Sequence, residues 1–312
     1  MIRHVLFFLF FAAAVPLYSQ VRVVCWNVEN LFDTVDDTLT NDDDFTPRGA
    51  NHWTQRLLEQ KCNSIYKTLA AMGCPPLVAL EEVENSRVLD ALCLGTPLRK
   101  AHYRYLHHDS HDPRGIDCAL LYRADRFHPF LSQPVPIVIA DNIYPTRDIL
   151  MVGGSFHDGD TLFLLVNHWP SQLGGRHSDS VRRAAEHRLS SLCDSLRLHY
   201  PTAWIVAVGD FNTTEYDPIL QSLTNSVMRR LQPAANCDGS YKYQGRWQFI
   251  DHIFLSSPIP IDAIESYVFV AEWLLEPDPR YMGNRPFRTW HGNYLHGGVS
   301  DHQPLFVDLP IP

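Results

Sequence analysis

Ile205-Val206-Ala207-Val208-Gly209-Asp210-Phe211-Asn212 is the stretch whose reading decides the fold. Ala203–Val208 is a short apolar, β-branched run and reads as a strand. The chain then turns at Gly209 and exposes an acid and an amide at the strand's end. Five further strand-like segments carry or adjoin polar groups in the same way. Trp26-Asn27-Val28-Glu29-Asn30 follows Val21–Trp26, and Leu80-Glu81-Glu82-Val83 follows Leu77–Leu80. Asn167-His168-Trp169-Pro170-Ser171 follows Leu162–Val166 in the strand Thr161–Asn167, Asp251-His252 lies in Phe249–Leu255 of the strand Trp247–Leu255, and Ser300-Asp301-His302 precedes Leu305–Leu309.

Further strands are expected at Tyr103–His107, Cys118–Tyr122, Ile149–Phe156 and Ser266–Val270. Trp53, Leu57, Ile65 and Leu69 recur at helical spacing until Gly73 stops them, and a short helix follows over Ser86–Leu94. A long helix is read from a cap at Ser178 or Asp179 to Leu198, before Pro201. Hairpin-like strands mixed with helices favour an α/β or α+β sandwich with mixed sheets over a strictly alternating barrel. No internal repeat is present. The stretches Asp33–Asn51 and Glu276–Gly298 read as loops.

Residues 1–19 have the charged, apolar and small-residue order of a secretory leader, with Met1-Ile2-Arg3-His4 ahead of Val5–Leu17. The apolar run falls short of the ~20 residues that span a bilayer. The expectation is a leader cleaved near Ser19, a secreted or periplasmic product without a membrane anchor, and one catalytic domain over residues 20–312. Loss of Arg3 takes the formal charge from −9 to −10. That balance argues against tight, sequence-independent coating of nucleic acid, though not against transient engagement of it. There are seven cysteines, an odd number without a CxxC pair, so their pairing is not legible and a cysteine zinc site is disfavoured. His291 and His296 would give zinc only two ligands. Asp42-Asp43-Asp44 lacks the glycine and glutamate of an EF-hand loop.

Singly, each polar strand end reads as a turn, a cap or a surface hydrogen bond. Together they form an oxygen-rich set of Glu, Asp and Asn suited to a hard divalent cation, with two histidines suited to proton transfer. At this point the sequence resembles the endonuclease/exonuclease/phosphatase superfamily, of deoxyribonuclease I / exonuclease III-like type, from about Val21 to Leu309. The resemblance implies a four-layer sandwich, two packed mixed β-sheets flanked by helices. It implies Mg2+, with Mn2+ or Ca2+ as substitutes, held by Glu82, Asn27 and Asp301, with Glu29 reaching the metal through water. It also implies His302 as base, oriented by Asp251, and Asp210 and Asn212 holding the attacking water and the phosphate. His168 would stabilise the scissile phosphate or protonate the leaving group, and Glu81 would shape the pocket.

Arg114, in Asp112-Pro113-Arg114-Gly115-Ile116-Asp117, is a candidate phosphate clamp or a turn residue paired with Asp117. Arg176, Arg182 and Arg183 read as a solvated helix face or a phosphate rail. The Arg280, Tyr281, Arg285, Phe287, Arg288 and Trp290 group reads either as loop packing or as a surface on which a base stacks.

The function implied is exported, metal-dependent hydrolysis of a phosphodiester, with DNA or RNA as the first substrate class and a small or lipid phosphoester as the alternative. A binding module without catalysis would require a lost ligand or base, and none of the matched positions has lost one. No Gly-x-Ser-x-Gly is present, which disfavours a serine hydrolase.

Overall fold

Strand periodicity sorts the apolar residues into layers. In the computed structural model, residues 20–224, 226–235, 237–261, 263–292 and 294–311 are described. The expected leader at 1–19 lies outside them. Val21, Val23 and Cys25 face one buried cluster while Val24, Trp26 and Val28 face another, so a single strand serves two cores.

The first sheet runs, in spatial order, Ser266–Val268, Leu305–Leu309, Val21–Leu31, Leu77–Val83, Asp117–Arg123 and Tyr103–His107. The second runs Arg229–Arg230, Asp251–Ser256, Trp204–Asp210, Thr161–His168, Ile149–Phe156 and Phe127–Val135. Each sheet contains one parallel pair, β1 (Val21–Leu31) with β2 (Leu77–Val83), and β3 (Thr161–His168) with β4 (Trp204–Asp210). The other pairings are antiparallel. Both sheets are therefore mixed, as expected.

Between the sheets, Leu77, Ala79, Leu120, Leu162, Leu164, Val206, Val208, Ile253 and Val307 form one core. Behind the first sheet, α1 (Gln55–Ala71) packs through Leu58, Cys62, Ile65 and Leu69, and α2 (Ser86–Cys93) through Val88, Leu89 and Leu92. Behind the second, α3 (Gly175–His199) lays down Val181, Ala185, Leu189 and Cys193 at four-residue intervals. The result is helix, sheet, sheet, helix. Burying each such aliphatic side chain is worth about 1.5–3 kcal/mol.

Local chemistry explains most boundaries. Asn85 caps α2, its side chain accepting from the N–H groups of Arg87 and Val88. Helix α3 begins at Gly175, a turn earlier than its expected cap, because a 3-10 turn at Gln172–Gly174 leads into it and Asp179 pairs with Arg182. The expected strand over Trp247–Leu255 is broken at Phe249-Ile250, leaving a hairpin strand at Arg246–Gln248 and a sheet strand at Asp251–Ser256. Phe127–Val135 is a strand despite Pro129 and Pro134, which it tolerates at the edge of its sheet with a register shift beside Pro129. The seven cysteines are all free thiols. No described helix is long and apolar enough to cross a membrane.

Candidate active site

The site is the polar end of the core between the sheets. Asn27 continues the alternation of Val21, Val23 and Cys25; Glu81 that of Leu77 and Ala79; His168 that of Leu162, Leu164 and Val166. Asp210 continues Val206 and Val208, and Asp251 precedes Ile253 and Leu255 in the same phase. Each side chain therefore points into the space between the sheets, where the two parallel pairs both end.

Glu82 is out of that phase. The register of β2 with both neighbours skips it, and its φ of 63° places it in the left-handed region. This bulge turns its carboxylate toward Asn30, whose N–H donates to it at 2.8 Å, and leaves the other oxygen 3.8 Å from His168 Nε2. Glu29, Asn30 and Asn212 also have positive φ, at 52°, 55° and 49°. Non-glycine residues in such conformations cost about 1–3 kcal/mol each and persist where the surrounding fold holds them.

Asp210 is the hub. Asn27 Nδ2 donates to it at 3.2 Å, the Asn212 N–H at 2.8 Å, and His168 Nε2 and His302 Nε2 stand 3.7 and 3.8 Å away. Asn212 Nδ2 reaches both Asp210 and the Trp169 carbonyl. His302 Nδ1 lies 2.9 Å from Asp251, whose carboxylate also accepts from Ser240 Oγ at 2.5 Å. Tyr241 covers the His302 ring, with centroids 4.9 Å apart. Ser300 Oγ donates to the Asn27 carbonyl at 2.6 Å and accepts from the His302 N–H, so the final loop is stitched to β1.

Crowded carboxylates dominate the electrostatics. Burial, then Asp251, pushes Asp210 up to about 7, against the opposing pull of His302 and the hydrogen bonds it accepts. Glu81 is pushed well above the usual range by burial, then by Asp251 and Asp210, and both its oxygens lack hydrogen-bond partners. Burial opposes charge on His302 too, but Asp251, Asp210 and Asp301 outweigh it and raise it well above 6.5. His168 is held well below 6.5 by burial, then by Arg147, Arg114 and His302, and is neutral.

A carboxylate-rich pocket of this kind fits a divalent cation. Glu82, Asp210 and Asp301 offer hard oxygen donors, Asn27 supplies an amide beside them, and Asp210, Asp251 and His302 place ligand atoms within 4.8 Å of one another. Asp301 keeps one oxygen 3.9 Å from His302 Nε2, while Arg288 takes the other at 3.1 Å.

Glu29, expected to reach the metal through water, is placed otherwise. Its oxygens accept from Arg288 and from the N–H groups of Thr289 and Trp290, which fasten β1 to the loop carrying Arg288. Arg114 does not pair with Asp117. Its partner is Asp112, at 3.4 Å, and its side chain is about half exposed. Asp117 pairs with His107 instead. His252 points away from the site and meets the Thr213 carbonyl at 2.9 Å. Arg182 is buried against the Pro170 carbonyl and Asp179, whereas Arg176 and Arg183 are exposed. Trp290 is buried against Phe45 and Trp53, and Arg285 and Arg288 are ion-paired, so loop packing accounts for these three.

Two supporting cations, Lys61 and Arg147, escaped the sequence reading, and a third, Arg288, was read there only as loop packing or a stacking surface. Lys61 is buried and donates to the Glu29 and Val299 carbonyls and to Thr289 Oγ1; burial lowers it to about 8. Its position in the apolar stripe of α1, between Leu58 and Ile65, was an available signal. Arg147 donates to the His168 and Trp169 carbonyls and to Asp112. Arg288 bridges Glu29 and Asp301.

Two packed mixed sheets with a carboxylate and histidine centre at the ends of their parallel strands define a phosphoesterase scaffold. The family model described as Endonuclease/Exonuclease/phosphatase family matches residues 22–310, and the chain belongs to that family. Its members are phosphoric ester hydrolases that depend on divalent metals. Among solved structures, the chain is similar to an endonuclease/exonuclease/phosphatase from Bacteroides vulgatus, with 14% identity, a TM-score of 0.60, and 94% of this chain and 100% of that one covered. The catalytic domain of human Nocturnin with bound sulfate gives 15%, 0.59, 93% and 93%. TDP2 of D. rerio in complex with a single-strand DNA product gives 15%, 0.58, 93% and 98%. At these identities the likeness is one of fold. No curated protein matches the sequence.

Proposed function

We propose that this protein is an exported, Mg2+-dependent phosphodiesterase whose first substrate class is nucleic acid. The observation that carries the reading is the buried His302–Asp251 pair set against Asp210, Glu82 and Asp301. The leader-like residues 1–19 support export. The D. rerio TDP2 structure with a single-strand DNA product supports a nucleic-acid substrate for a chain of this fold.

A cation held by Glu82, Asp301, Asn27 and Asp210 would neutralise non-bridging phosphate oxygens as an anionic nucleophile approaches. Asp251 accepts the Nδ1–H of His302 and so presents Nε2 to the pocket. With the carboxylate charge shared in this way, Nε2 would release its excess proton to solvent and be free to accept one from the attacking water. Asp210, steadied by Asn27 and Asn212, would position that water, and Asn212 would donate to the phosphate by giving up its longer amide bond, the one to Asp210. Burial and the neighbouring Arg147 disfavour charge on His168, which favours the role of donor to a phosphate oxygen over that of acid for the leaving group. Tyr241 covers the His302 ring, and from the opposite face of β1 the Trp26 indole N–H donates to the His302 carbonyl at 3.0 Å. Arg114, whose guanidinium is half exposed, would be free to meet a phosphate farther along the substrate.

The test is a panel of plasmid DNA, RNA, sphingomyelin and an inositol polyphosphate with Mg2+, with and without EDTA. Nucleic-acid cleavage that EDTA stops and that Glu82→Gln lowers at least about 100-fold supports the proposal. Turnover of only the lipid or small phosphoester would replace the substrate class, and no EDTA-sensitive turnover at all would remove the enzyme reading.

A further inference from the structure

Two short hairpins in the segment before Asp301 bring together side chains that the active site does not use. Glu276 lies on Leu275–Pro277, which pairs with Asn284–Pro286. His291 lies on Trp290–His291, paired with Tyr294–Leu295, and His296 follows directly, its N–H bonded to the Thr289 carbonyl at 2.8 Å. One ligand atom from each of Glu276, His291 and His296 lies within 4.8 Å of the others. His296 Nε2 is 2.6 Å from Glu276 Oε2, and the two imidazole rings meet edge to face with centroids 4.4 Å apart.

We propose that Glu276, His291 and His296 form a second metal site, selective for Zn2+ or a neighbouring late first-row ion over Mg2+, which clips the two hairpins together. Two imidazole nitrogens and one carboxylate oxygen are a zinc donor set, whereas the oxygen-rich active site suits Mg2+. Ligand atoms around a tetrahedral zinc stand about 3.3 Å apart, so the cluster needs only a small contraction. All three residues are half-buried, which leaves the fourth position open to water.

Arg285 fits such a site in one respect and opposes it in another. Its Nε donates to Glu276 Oε1 at 2.7 Å, the far oxygen, as an outer partner that orients a ligating carboxylate. Its second contact, 3.2 Å to His291 Nε2, must be given up when the ion enters. The guanidinium has an exit, since the Arg285 side chain is 25% exposed. Phe287 packs against the His296 ring at 5.2 Å and limits its swing. The clipped segment contains Arg288 and Thr289, so ion binding would steady the loop that holds Glu29 and Asp301.

The full-length mature protein, stripped of metal and then saturated with Mg2+, is titrated with Zn2+ against a chromophoric chelator. One Zn2+ equivalent is expected that Mg2+ does not displace, with a rise in melting temperature. Both are expected to vanish in His291→Gln/His296→Gln, and in Glu276→Gln the affinity should fall by more than about 100-fold. In the unaltered protein, Zn2+ but not Mg2+ should protect His291 and His296 from diethyl pyrocarbonate, read by peptide mass spectrometry, which needs no variant to fold. Absence of this equivalent, its retention in both variants, or unprotected histidines at saturating Zn2+ would overturn the proposal.

Discussion

His302 Nδ1 lies 2.9 Å from one oxygen of Asp251 and 3.1 Å from the other, across 51 residues of sequence. With Ser240 also donating to it, that carboxylate fixes both the tautomer and the tilt of the ring. In Asp251→Asn the fold should survive, because Ser240 keeps a partner, while the charge supporting the imidazolium is gone. The expected loss in kcat with saturating Mg2+ is about 10²–10⁴-fold. His302 in the metal-free variant should titrate closer to its ordinary range, followed by NMR of the ring protons. A variant with full kcat would remove Asp251 from the mechanism.

Glu29 and Arg288 join β1 to the last loop across 259 residues. Arg288→Ala leaves Glu29 with only backbone donors and should cost about 1–3 kcal/mol in urea unfolding. Glu29→Gln should cost a similar amount, and the double variant less than the sum, with a coupling of about 0.5–3 kcal/mol. Strict additivity would show that the pair does not act as a unit.

His252 sets a pH limit on stability. It is fully buried and its folded pKa is lowered from 6.5 to about 4, chiefly by burial. As pH falls from 6.5 toward 4 the unfolded chain takes up a proton that the folded chain refuses, so stability drops with pH. At about 1.4 kcal/mol per pH unit the loss approaches about 3 kcal/mol by pH 4. His252→Gln should flatten this part of the profile, measured as unfolding free energy at pH 7, 6 and 5. An unchanged slope between pH 6.5 and 5 would contradict the assignment.

Gly209 is required by contact as well as by conformation. Its φ is 133°, and a Cβ there would sit 1.9 Å from the Asn167 carbonyl oxygen. Gly209→Ala should separate β3 from β4 beneath the site and cost more than about 4 kcal/mol. Gly159, with φ 90° and open space around its Cβ position, should lose only about 1–2 kcal/mol as alanine. Equal unfolding midpoints for the two variants would refute the steric argument.

The sequence by itself determined most of the core strands, the main helices and the phase of the polar residues that end those strands, but not the edge strand Phe127–Val135 or the hairpins within Glu276–Gly298. Those signals are local: two-residue alternation fixes that Asp210 faces with Val206 and Val208, and four-residue spacing fixes the inner stripe of α3. The oxygen-rich character of the strand ends was legible for the same reason, since the residue types stand beside strands that must be buried. Only the tertiary structure decided what depends on distant partners. It turned Glu82 out of the ladder and left Glu81 within it, and it gave Glu29 to Arg288 and the Thr289 and Trp290 N–H groups. Lys61, Arg147 and Arg288 acquired their roles there too, as did Glu276 in joining His291 and His296. The physical reason is that a charged side chain taken out of water must find its partner wherever packing brings one, and neither period nor propensity records that meeting.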